Sequence, residues 1–193
     1  FDMLRYGAAG TGGGPFVERK ASCTKWILCS ENRPTFVSAR PLGDRNRRRT
    51  TVPTGARGGV LMIIPSWGQR CGVAEYTRFL TDELRKQGFA VEIAAGNPTQ
   101  VLSYAGRGGF HIAHFQFEYQ LFDMSLLRRL TAQLKARGIR VIATIHDYHP
   151  RHVEANRAMR DEFDELVVHS PRMKERLLSG LGIDRGRIHV IAM

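Results

Sequence analysis

Cysteine is scarce in this chain of 193 residues: Cys23, Cys29 and Cys71 make an odd count, and the five residues between the first two are not a zinc-ligand spacing. A disulfide framework is therefore excluded as the organising principle, and a reducing, cytoplasmic setting is the expectation. Long apolar runs are also missing. No stretch approaches the roughly 20 residues needed to cross a bilayer, and no basic-then-apolar leader opens the chain. The first residue is Phe1 rather than Met, so the segment is expected to begin inside a longer reading frame.

Several catalytic signatures are absent as well. The chain has no GxGxxG and no GxxxxGK[ST], so neither the nicotinamide fingerprint nor the nucleoside triphosphatase loop is present. Without a GxSxG elbow or an HExxH helix, serine hydrolase and zinc-protease chemistry have no foothold. His146, His149 and His152 stand at helical spacing, but Pro150 between them argues against a regular metal-binding helix, and no metal site is expected.

The charge that is present is unevenly placed. Residues 1–58 hold 11 Lys and Arg against 4 Asp and Glu, net +7 of the whole chain's +11. The same stretch carries 8 of the 20 Gly and 4 of the 8 Pro, together with the cluster Arg45, Arg47, Arg48 and Arg49. With no sustained apolar periodicity, it reads as a basic, largely disordered tail or linker. Arg45 to Arg49 could meet phosphates, but no aromatic-interleaved platform accompanies them, and no nucleic-acid partner is expected.

Order begins near residue 59. VLMIIP (60–65) is apolar without alternation, as a parallel strand covered on both faces should be. Val73, Thr77, Leu80 and Leu84 then fall at helical spacing over 73–87, ending at Gly88. Further strands are expected at 89–95, 110–117, 140–146, 165–169 and 187–192, with a loop over 96–109. Helices are expected at 123–137, capped by Asp123 and closed by Gly138, at 152–163, and from Ser170–Pro171 to Gly180. Strands alternating with helices give an α/β fold: an open, mostly parallel sheet with helices on both faces, binding ligands beyond the carboxyl ends of its strands.

The residues at those ends are the candidates. In SWGQRCG (66–72), Gly68 and Gly72 let the backbone turn and come close to a ligand, and the helix that follows offers free N–H groups to an anion. Strand alternation puts His114, Gln116 and Glu118 on one face, a polar rim with Tyr119 beside it. His146 and Asp147 open the loop after the fourth strand. The imidazole can share a proton or donate a hydrogen bond near neutral pH, and the carboxylate can orient it or bind hydroxyls.

In order, IPSWGQRCGVAEYTRFLTDELRKQGFAVEI (64–93), HIAHFQFEY (111–119), VIATIHDYHP (141–150), LVVHSPRMKERL (166–177) and RIHVIA (187–192) resemble the N-terminal half of GT-B glycosyltransferases of the family 4 type. The resemblance spans residues 59–193. It implies a Rossmann-like domain that binds the acceptor, facing a second, donor-binding domain expected to start after Met193. It implies a nucleotide-sugar as co-substrate rather than any cofactor, with Gly68, Cys71 and Gly72 in the turn under the donor diphosphate and His146 reaching toward the transferred sugar. Glu118 and Tyr119 match an acceptor-side rim, while Ser170 and Arg172 follow the strand that closes the cleft. The expected function is sugar transfer with retention to a glycan or lipid-linked acceptor, with little turnover by these residues alone. The alternative is a non-catalytic α/β binding or scaffolding module. The basic residues Arg128, Arg129, Lys135, Arg137 and Arg140 add the expectation of peripheral contact with the inner face of a membrane.

Overall fold

The computed structural model describes residues 55–95 and 98–192. The expected disordered tail over 1–58 lies outside the described residues except for 55–58. There the backbone is already tied to the domain, with the Arg57 amide donating to Gly88 O (3.0 Å) and the Ala90 amide to Gly58 O (3.0 Å).

Strand β1 (Gly59–Ile63) leads to helix α1 (Gly72–Lys86), and β2 (Ala90–Ala94) to α2 (Pro98–Ala105). Strand β3 (Phe110–Phe117) leads to α3 (Met124–Lys135), β4 (Arg140–Ile145) to α4 (Val153–Glu162), and β5 (Glu165–Val168) to α5 (Pro171–Leu181). A 3-10 turn (Arg185–Arg187) precedes β6 (Ile188–Val190). The six strands form one parallel sheet in the order β2-β1-β3-β4-β5-β6. This is the open, Rossmann-like α/β sheet that the strand–helix alternation predicts.

All five residues of β1 are buried, which explains their lack of alternation: one face meets α1 and the other the main core. Val60 and Met62 pack with Val91 under Leu80 and Leu84 of α1. Leu61 and Ile63 point the other way, into a larger cluster that holds Phe115, Phe117, Leu127, Leu134, Met159 and Phe163. The helix starts follow their sequence signals. Asp123 accepts from the Leu126 amide (2.9 Å), and Ser170 accepts from the Met173 amide (3.2 Å) with Pro171 in the first turn.

Two expectations need correction. The stretch 96–109 is not all loop, because α2 occupies Pro98–Ala105. Pro98 lacks only an N–H that the first turn leaves unpaired anyway, and Val101 and Ala105, four apart, bury one face. Nor does Gly180 end α5. The helix continues to Leu181, and Gly182, in the left-handed region at φ 62°, is the cap.

Gly180 is glycine for another reason, since a Cβ there would lie 2.8 Å from Tyr148 Cζ and nearer still to its hydroxyl. Tyr148 is buried, and Arg176 fixes it by donating to its carbonyl oxygen (2.9 Å). An exposed helical Gly→Ala change ordinarily gains about 1 kcal/mol, whereas overpacking costs about 1–3 kcal/mol. Gly180→Ala is therefore expected to lower the unfolding free energy by about 1 kcal/mol, read by urea titration. A stabilised variant would show that Tyr148 swings away freely.

No helix among the described residues is long and apolar enough to cross a membrane. The basic residues around α3 are mostly engaged within the domain. Arg128 faces Glu154 (3.4 Å), Lys135 reaches Asp164 (2.9 Å), Arg140 pairs with Glu165, and Arg137 donates to Gln133 O (2.6 Å).

Candidate functional site

β1 and β3 are neighbours in the sheet, but the chain leaves them toward opposite edges, so a crevice opens at their carboxyl ends. The β1–α1 loop forms one wall. Its turn is closed by the Trp67 amide on Ile64 O (3.3 Å) and the Gln69 amide on Ser66 O (3.0 Å). Gly68 sits at φ 80°, a conformation that strains any side chain. The cleft here measures about 590 Å³ and is lined by residues 67–72 with Ala74, Glu75 and Arg78.

Cys71 is the N-cap of α1 but makes no side-chain cap bond, and the first intrahelical bond runs from the Glu75 amide to Cys71 O (3.0 Å). The earliest amides of the helix are thus available to an anion, with the positive end of the dipole behind them. The thiol reports the same field. Burial pushes Cys71 up, but the amides of Ala74 and Val73 and the nearby Ser66 hydroxyl outweigh it and hold the group below its ordinary value of 9.0. No atom lies within 4 Å of where a Cβ on Gly72 would stand, so a ligand can approach the backbone there.

Beside this cleft lie the carboxyl ends of β3, β4 and β5. His146 follows the last residue of β4, and its amide donates to Phe117 O (3.3 Å). Its Nε2 lies 2.9 Å from Gln116 Oε1, and the Gln116 amide nitrogen lies 3.1 Å from Met62 Sδ. Deeper, His114 Nε2 is 2.8 Å from Thr144 Oγ1. Tyr76, one turn into α1, sets its ring against two imidazoles: edge-on to His146 (5.2 Å, 78°) and to His169 after β5 (4.8 Å, 69°). One aromatic side chain thereby fixes the helix that carries the anion-facing amides against the ends of β4 and β5.

The electrostatics of these strand ends differ from the sequence expectation. Burial, with His169 adding a smaller push, lowers His146 to about 4, so the imidazole is neutral through the physiological range. It does not titrate near pH 7. His114, fully enclosed, is likewise lowered to about 4 by burial and then by His146. His114 and Gln116 are buried and do not form an exposed rim. Only Glu118 on that face reaches solvent. Its carboxylate accepts from the Gln120 amide (3.3 Å) and lies near enough to Cys71 to oppose the thiolate.

The remaining candidates separate into two groups. Ser170 caps α5. Arg172 is exposed on the first turn of α5. Asp147 is exposed and accepts from the Tyr148 amide (2.7 Å). Tyr119 is already engaged: its hydroxyl donates to Asn156 Oδ1 (2.8 Å) and accepts from the His149 amide (2.8 Å), while its ring stacks on His152 at 4.4 Å. Burial pushes that phenol up to about 12, against the opposing His149 amide. Asn156 completes the brace by donating to His149 O (3.0 Å). Tyr119 and Asn156 thus hold the loop after His146 rather than standing free in the cleft.

Sequence reasoning passed over Tyr76, His169 and Asn156. A signal existed for the first two: Tyr76 stands three or four residues from Val73 and Leu80 on the buried face of α1, and LVVH repeats the apolar-then-His ending of ATIH. Among the described residues no group of three or more His, Cys, Asp and Glu could hold a metal ion.

Comparison with known proteins adds three findings. No curated protein matches the sequence. Among solved structures, the Francisella response regulator 1452 receiver domain resembles it with TM-score 0.41 and 14% identity, over 63% of this chain and 92% of that one. Residues 99–192, running from α2 to β6, match the family model of Glycosyltransferase Family 4, which supports a glycosyltransferase N-terminal domain of the family 4 type.

Proposed function

We propose that the chain is the acceptor side of a retaining glycosyltransferase, which moves a sugar from a nucleotide-sugar to a glycan or lipid-linked acceptor. The observation that carries this reading is the joining of the open start of α1 to His146 through Tyr76, at the carboxyl edge where β1 and β3 diverge. When the glycosidic bond to the donor breaks, negative charge develops on the leaving diphosphate. Amides already pointed at that charge stabilise it without reorganising. His146, neutral and set back from the α1 amides by one aromatic ring, is placed to hydrogen-bond a sugar hydroxyl on the same ligand. Glu118 and Asp147 flank the acceptor approach. A facing donor domain would supply the nucleotide pocket and the remaining charge, and it would complete a site that positions both substrates.

Gly72→Val tests the diphosphate assignment. The position has open space and no positive φ, so folding should change by no more than about 0.5 kcal/mol. The branched side chain would occupy the approach to the amides. Titrations with pyrophosphate and a panel of nucleoside diphosphate sugars, followed by amide shifts of residues 68–76, are expected to show affinity falling tenfold or more, about 1.4 kcal/mol. Unchanged affinity, or shifts confined to another part of the sheet, would remove the proposed site.

A further inference from the structure

Gln116 is enclosed by the sheet, at 0% exposure, and nevertheless has both ends of its amide in use. Its nitrogen faces a thioether, Met62 Sδ at 3.1 Å, and its oxygen faces His146 Nε2 at 2.9 Å. A thioether sulfur has no proton to give and can only accept, weakly. The NH₂ end of the amide therefore belongs on the sulfur side, and the carbonyl oxygen is left for the imidazole. A carbonyl oxygen only accepts, so the proton must lie on His146 Nε2. A neutral imidazole with its proton on Nε2 presents a lone pair at Nδ1. That nitrogen has no partner among the described residues and is not one of the sealed, unsatisfied polar atoms.

We infer that Gln116 is a positioning residue that fixes the tautomer of His146, so that the imidazole meets a ligand only as a hydrogen-bond acceptor, through Nδ1. The role of His146 toward a sugar hydroxyl rests on the function proposed above, whereas the tautomer assignment does not. The surrounding rings hold the plane in which that lone pair points. Tyr76 stands edge-on to His146, and His169 lies 5.7 Å from it at 50°. His169 is itself set by an outside contact, with Nδ1 donating to Ile191 O (3.2 Å). The groups facing His146 are thus Gln116 from β3, with His114 deeper on the same strand, Tyr76 from α1 and His169 after β5, none of them a carboxylate. With the neighbouring Asp147 carboxylate turned to the Tyr148 amide, and with an amide rather than a carboxylate hydrogen-bonded to the ring, His146 is built to receive a hydroxyl proton in a hydrogen bond. It is not built to donate a proton or to hold a charge. The ligand group it selects is accordingly a hydroxyl, and an ether or acceptor-only oxygen in the same place would be left facing a lone pair.

Nitrogen-15 NMR on the histidine-labelled 193-residue chain reads this directly. The expected wild-type signature is an Nε2–H that exchanges slowly with water and an Nδ1 with the shift of an unprotonated nitrogen. In Gln116→Leu the slow exchange is expected to vanish and some Nδ1–H to appear. In Gln116→Glu, a carboxylate at the same distance should keep Nε2–H and move the titration of His146 upward, an effect that a merely structural role would not produce. Protonated Nδ1 in the wild type overturns the assignment without any variant having to fold, as does an unaltered N–H in a folded Gln116→Leu. On adding the nucleotide-sugar panel, the Nδ1 signal should move while Nε2 stays. Binding without any Nδ1 movement would overturn the acceptor role and leave the functional reading standing. No shift at residues 68–76 with either the panel or pyrophosphate would overturn the anion site on which the functional reading rests and leave the tautomer intact.

Discussion

Phe163→Ala is expected to lower the unfolding free energy by about 3–5 kcal/mol, a fifth or more of the roughly 5–15 kcal/mol that holds a domain of this kind together. Phe163 joins the end of α4 to the start of β5 and is fully buried. Its ring lies 5.4 Å from Phe115 and 5.8 Å from Phe117, and both of those pack on Phe122. Phe115 and Phe117 sit in β3, which is bonded to β1 on one side and β4 on the other, so the backbone under the deleted ring cannot move in to close the void. That rigidity places the cost at the cavity-limited end of the range for aromatic deletions rather than at the cost of lost area alone. Urea titration should show a lower midpoint with an unchanged slope. Phe79→Ala is the matched control. Phe79 is 62% exposed on α1, and its loss should register within about 0.5 kcal/mol. A cost below about 1 kcal/mol for Phe163→Ala would mean that the ring cluster does not organise the core.

Much of this architecture is legible from local rules, and its limits have physical causes. The all-apolar VLMII segment declares a strand covered on both sides, and the Asp123 and Ser170 caps lie where the residue types put them. Helix α2 escapes because the stretch 96–109, in which Pro98 introduces a two-turn helix, has the Gly, Pro and Ser content of a loop, and only the Val101–Ala105 spacing separates the two. Gly180 misleads for a related reason. Glycine after an amphipathic run usually marks a cap, but here it clears room for Tyr148, a contact across 32 positions of sequence that no local pattern encodes. The loop glycines and His146 are legible as candidates because they interrupt an apolar pattern at the ends of strands. What joins them is not: Tyr76 and Gln116 act through side-chain contacts between separate elements, and Tyr119 looks available until Asn156 is found holding its hydroxyl.

Acid should destabilise the domain in two separable steps, and histidine sets the first. His114 and His146 are held near 4 in the folded protein, chiefly by burial, against 6.5 when unfolded. Between those values the unfolded chain binds protons that the folded chain refuses. Stability therefore rises with pH across this window, is fully present above about 6.5, and is lost progressively as pH falls toward 4. For His114 alone the gap corresponds to about 3 kcal/mol. His146 adds to it, but less than a second independent share, because each protonated ring would lie in the field of the other. The carboxylates act elsewhere. Asp164, although partly buried, is held below 3.8 by the Val141 amide and Lys135, and Asp123 by the Leu126 amide and the Ser125 hydroxyl, so their contributions persist above 3.8 and fade only below it. Unfolding free energies from urea titrations at pH 7.5, 6.5, 5.5 and 4.5 should accordingly fall by about 3 kcal/mol in total, most steeply below 6, with the carboxylates still ionised over nearly all of that span. A flat profile from 6.5 to 4.5 would mean that water reaches His114 and His146. The same neutrality has a consequence at the site: ligand binding that depends on His146 should be insensitive to pH between 6 and 8, because the group changes its charge only in conditions where the fold itself is giving way.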